Sequence, residues 1–79
     1  NSNAMVEIRQ ELEWLKNYVY LQQIRLKNAF RYEVDADAEI LNCKIHKLIL
    51  QPFIENAIIH GFEGLTREHV LSIKLEAQN

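Results

Sequence analysis

From Met5 to about Asn28 the chain has neither glycine nor proline, and Met5, Ile8, Leu12, Leu15, Val19, Gln22 and Leu26 follow a 3-4-3-4-3-4 spacing. That spacing keeps one stripe of side chains on a single face, so the segment over 5–29 is predicted to be a long helix with a heptad seam. Gln22 is the polar member of the seam, weakening a continuous zipper while helping to fix register. On another side Trp14, Tyr18, Leu21 and Arg25 recur at spacings of 4, 3 and 4. One stripe can face the helix's own domain and the other a partner chain. Cover of both stripes within a full-length protein has equal weight on the pattern alone.

After Asn28 the period changes. Phe30, Tyr32 and Val34 alternate with Arg31, Glu33 and Asp35, the signature of a half-buried strand. "DADAE" supplies turn chemistry, with Asp35 or Asp37 able to cap a short following turn, and "ILNCKI" leads into an apolar block. That block reads as a second helix ending at Gly61, a residue suited to a left-handed C-terminal position. Pro52 cannot donate to the carbonyl of Leu48 and biases Gln51 away from helical dihedrals. The helix therefore starts either at Pro52 or near His46 or Lys47 with its first turns loosened. The second is preferred, because it gives Leu48, Ile49 and Leu50 a defined burial. After a loop, "GFEGLT", the segment "HVLSIKLEA" alternates as a second strand, with Leu71, Ile73 and Leu75 on one face. The order helix, strand, helix, strand predicts an α+β fold with one sheet face covered by a helix.

With 79 residues and a net charge of -2, the chain has material for one small domain, whose thin core buries only about 60% of its unfolded surface. Help from a partner chain or from further sequence is expected. The basic residues are dispersed, which argues against nucleic acid and against a polybasic membrane contact. Cys43 is the sole cysteine, excluding an internal disulfide and a cysteine zinc site; it reads as a small buried filler in a reducing compartment. No apolar run approaches the roughly 18 residues of a membrane span, and no signal peptide opens the chain. Residues 1–4, "NSNA", read as an expression-tag remnant, as on a piece cut from a longer protein.

In the second helix Ile49, Phe53, Ile54, Ala57, Ile58 and Ile59 spread over nearly the whole circumference, as expected of an interior helix. Asn56 and His60, four apart, share a face, and Glu55 lies about a quarter turn away with Gln51 above it. Burying such groups without partners is costly, so this edge must meet polar groups, water or a ligand. In a structural reading Asn56 ties down a loop, Glu55 faces solvent and His60 donates to the last helix carbonyls, which for an arbitrary helix is the better bet. In a functional reading the edge lines a cleft: an amide oxygen suits Mg²⁺, a carboxylate accepts a proton and an imidazole donates to phosphate.

The order of residues favours the second. "LQPFIENAIIHG" resembles the N-box helix of sensor histidine kinases of the LytS/YesM type, within the GHKL group of ATP-binding proteins. The resemblance continues upstream, where "ELEWLKNYVYLQQIRLKNAF", with Tyr18 and Arg25, looks like the family's linker helix leading into the first strand of the ATPase domain. It implies a truncated portion of a Bergerat-type α/β sandwich: a linker and dimerisation helix over 5–29 and the N-terminal part of an ATP-binding domain over 30–79. It also implies that Asn56 binds the Mg²⁺ bridging the ATP phosphates and that Glu55 is the general base or polariser for the phosphoacceptor histidine. His60 would approach the phosphates. The parent would pass the ATP γ-phosphoryl group to a histidine and then to a response regulator, as the cytoplasmic portion of a membrane-anchored bacterial protein.

Ile45 is followed by His46 and Lys47 where the family usually has Ile-Pro-Pro, leaving the start of the second helix open. The Asp-x-Gly-x-Gly box that reads adenine is not among the 79 residues, and none of His46, His60 or His69 has the Asn-Pro-His-Phe context of the phosphoacceptor. The chain alone is therefore expected neither to autophosphorylate nor to bind ATP tightly. Unpaired strand edges and apolar helix faces predict a homodimer, with strand or helix exchange as one route to it. The competing class is a non-catalytic dimerisation or signal-relay module in which the seam is the function. Another GHKL ATPase would share the N-box but accounts less well for the linker helix.

Overall fold

The computed structural model describes residues 4–61 and 69–78 and has the α+β architecture expected. In chain order the elements are β1 (Met5–Glu7), α1 (Ile8–Arg25), β2 (Phe30–Ala36), a 3-10 turn (Ala38–Ile40), β3 (Lys44–His46), α2 (Gln51–Gly61) and β4 (His69–Leu75). Beyond Gly61, the loop expected over "GFEGLT" lies outside the described residues.

The long helix starts three residues later than its seam suggested. Met5–Glu7 instead pairs antiparallel with Lys44–His46, Val6 facing Ile45. The first helical amides then find acceptors in the connector, Ile8 N–H donating to the Cys43 carbonyl and Arg9 N–H to that of Leu41, both at 2.9 Å. At the other end Asn28 N–H donates to Gln23 and Lys27 N–H to Ile24, the paired bonds of a Schellman closure. Lys27 and Asn28 there have φ of 55° and 60°. Asn tolerates that region, whereas a lysine in it costs about 1 kcal/mol.

β2 and β4 pair in parallel, Phe30 beside His69 through Ala36 beside Leu75. Parallel strands need a crossover, and the stretch between them, with α2, supplies it. Leu15 and Val19 of α1, Ile54 and Ile58 of α2, Phe30 of β2 and Leu71 of β4 form one core, with Tyr32 and Ile73 packed against it. The alternation read in both strands therefore selects the covered sheet face at Phe30, Tyr32, Leu71 and Ile73, whereas Val34 is exposed.

Several expectations change. α2 begins at Gln51, not near His46, which belongs to β3. Pro52 consequently stands in the first turn, where its missing N–H has no helical carbonyl to reach. Gly61 is the last residue of α2 without the left-handed φ expected of it. Asp37 precedes the 3-10 turn but makes no side-chain cap; its Oδ2 accepts from Ala77 N–H at 3.1 Å. Cys43 is exposed rather than a buried filler, because it lies in the surface connector before β3. Most consequentially, α2 is not interior within this chain. Ile54 and Ile58 are buried, but Phe53 is 72% and Ile59 51% exposed, since among the described residues the core lies on one side of α2.

Candidate functional site: the outer edge of the second helix

The three polar residues singled out on α2 lie on its less covered side. Asn56 and His60 are exposed, and Glu55 is half-buried. Four residues separate Asn56 from His60 on a regular helix, so the carboxamide and the imidazole stand one turn apart on one face. Among the described residues none of the three has a side-chain hydrogen bond, and the loop ties and carbonyl caps of a purely structural role do not occur there.

Glu55 looks towards α1. Tyr18 has its pKa raised above the ordinary tyrosine value first by burial and then by the negative charge of Glu55, while Arg25 opposes the shift. Tyr18 also stacks on Trp14, ring centres 6.0 Å apart and planes 4° from parallel. Arg25 is itself aimed by Nε donating to Gln22 Oε1 at 2.9 Å. The second stripe of α1 thus brings Tyr18 within the electrostatic reach of Glu55 on α2.

What sequence reasoning missed is Glu11, which is only 2% exposed. Its Oε1 accepts the Leu48 N–H at 2.9 Å and its Oε2 the Leu50 N–H at 3.1 Å. A buried carboxylate without such donors would be strongly unfavourable. The signal was present: Ile8, Glu11, Leu15 and Val19 make the stripe that is buried, and an acid on a buried stripe requires donors. The heptad seam obscured it by assigning Leu12 to that face.

Among the described residues no group of three His, Cys, Asp or Glu side chains is arranged to hold a metal ion. An exposed carboxamide is still a suitable single protein ligand for Mg²⁺, which keeps several waters and is otherwise held by substrate phosphates. The exposed carboxamide of Asn56 is of the chemical type that can serve as such a ligand. An open groove of about 340 Å³ between α1 and β2, lined by Leu12, Lys16, Tyr32, Val34 and Leu41, includes none of the α2 residues.

No family model matches the chain. Its sequence is 34% identical over 73 residues to the sensor histidine kinase YpdA of Escherichia coli (strain K12), covering 92% of this chain and 13% of that kinase. It is also 34% identical over 74 residues to the sensor protein kinase HptS of Staphylococcus aureus (strain USA300), covering 94% of this chain and 14% of that protein. The chain is similar to a segment of sensor histidine kinases. It spans about one seventh of the length of these curated relatives. No helix among the described residues is long and apolar enough to cross a membrane.

Proposed function

We propose that this chain is the junction between the linker helix and the ATP-binding domain of a two-component sensor histidine kinase of the LytS/YesM type. In this reading α1 is the linker helix and α2 the N-box helix of a Bergerat-type GHKL domain. The observation that carries it is the coincidence of similarity to sensor histidine kinases with an α2 edge whose Asn56 and His60 are exposed and without side-chain hydrogen bonds among the described residues.

The roles follow from chemistry. Phosphoryl transfer is governed by positioning and charge neutralisation, so the protein needs few reactive groups. Asn56 would hold Mg²⁺, which when bound with ATP neutralises phosphate charge. His60, one turn on, donates a hydrogen bond to a phosphate oxygen. Glu55 accepts or polarises the proton of the phosphoacceptor imidazole, and its charge also reaches Tyr18 of α1. The whole protein would transfer the γ-phosphoryl group to a histidine and on to a response regulator, and this segment would lie in the cytoplasm beneath a membrane anchor.

The chain by itself is proposed to be inactive and to pair with a second copy through the outer stripe of α1. Trp14 and Leu21, at 42% and 61% exposure, support that pairing. The test is Asn56→Ala in the full-length protein. Mg²⁺-dependent autophosphorylation should be lost with an unchanged circular dichroism spectrum, and activity that survives would refute the metal role. Glu55→Gln should slow transfer more than it weakens nucleotide binding; equal losses would make Glu55 a structural carboxylate.

A further inference from the structure

We propose that Glu11 is a positioning residue for the α2 edge: it fixes where α2 begins, and so makes the placement of Glu55, Asn56 and His60 depend on the placement of α1. Each amide between β3 and α2 has a partner. Lys47 N–H donates to the Ala4 carbonyl and Ile49 N–H to that of His46. Leu48 and Leu50 N–H donate to the two oxygens of Glu11. Leu50 is held from both sides, because its carbonyl also accepts the Ile54 N–H, the bond that opens α2. Leu48 has φ of 64°, a left-handed conformation that a leucine keeps only when its surroundings impose it. The Glu11 bond is made by that residue's own amide.

Glu11 sits between Ile8 and Leu15 on the buried face of α1. If α1 rotates or slides, the carboxylate must carry Leu48 and Leu50 with it or surrender both bonds while still buried, which is the costlier outcome. Movement of α1 is thereby passed to the start of α2. The clamp stands on these bonds alone; its consequence for phosphoryl transfer rests on the proposed nucleotide-facing role of α2.

Residue-resolved amide hydrogen exchange tests this on the chain itself. Leu48 and Leu50 are outside both helices, yet their amides should exchange at least about tenfold more slowly than in an unstructured chain, as expected for bonds to a charged acceptor. Exchange at the unstructured rate overturns the proposal without any variant. In Glu11→Gln, exchange at Leu48 and Leu50 should rise about tenfold or more and spread into α2, with Leu15 and Val19 unchanged. Unchanged exchange at Leu48 and Leu50, or an equal rise across β2, overturns it. Glu13→Gln, an exposed neighbour, should change none of these rates. Asn56→Ala separates the two claims. If the full-length protein still phosphorylates in Asn56→Ala, the nucleotide reading of α2 falls while the clamp stands. If phosphorylation is lost in Asn56→Ala but unaffected by Glu11→Gln, the positioning role falls.

Discussion

The two helices share one core but are held in different ways. α1 buries Ile8, Glu11, Leu15 and Val19 along one face, and backbone bonds close both of its ends. α2 buries Ile54 and Ile58, and its start is held by a side chain of the other helix. The residues with chemistry to offer are on the less anchored helix, and the residue that locates them is on the more anchored one. An all-round apolar sequence therefore does not by itself make a helix interior: burial depends on what stands on each side, and here α2 is packed on one.

If one face of α2 carries its packing, core and outer truncations must differ widely. Phe30→Ala should lose about 3–5 kcal/mol in urea denaturation, whereas Phe53→Ala, of the same chemistry, should change stability by no more than about 0.5 kcal/mol. Comparable losses would mean that the outer face of α2 is covered. Glu11→Ala should come next, at about 3 kcal/mol, since it strips two backbone donors of a charged acceptor. A loss below about 1 kcal/mol would show that water replaces the carboxylate without difficulty. Tyr32→Phe sharpens the contrast from the opposite sign: the Tyr32 hydroxyl is buried without a hydrogen-bond partner among the described residues, so its removal should be neutral or stabilise by about 1 kcal/mol.

The smallest effect is alkaline. Burial raises the pKa of Tyr32 above the ordinary value of 10.0, and burial with the Glu55 charge raises that of Tyr18. The folded state therefore keeps these protons where the unfolded chain gives them up. This contribution is complete below pH 10 and is lost as pH rises through the folded values. Thermal melts should be insensitive to these groups up to about pH 9 and fall beyond about pH 10, less steeply in Tyr32→Phe.

Period carried most of the fold. The α1 run, the strand over Phe30, Tyr32 and Val34, and the alternation of Leu71 and Ile73 each reappear as the expected element, with burial following the spacing except at Val34, which is exposed. The short strands at Met5–Glu7 and Lys44–His46 did not show, since three residues carry too little period and exist only through pairing with each other. Helical spacing placed Asn56 and His60 on one face with Glu55 about a quarter turn away, and all three lie on α2. That Glu11 needs donors was legible in its stripe, but that Leu48 supplies one was not: the bond spans 37 residues of chain, and no local pattern encodes such a bond.

In the proposed function the outer edge of α2 meets a metal-bound nucleotide. The most direct measurement of that contact is paramagnetic broadening by Mn²⁺ in place of Mg²⁺ in the full-length protein with ATP, read at the side-chain amide of Asn56. The account predicts broadening centred on Asn56, extending over Glu55 to His60, present with ATP and absent without it. Broadening that leaves α2 untouched while nucleotide is bound would contradict it.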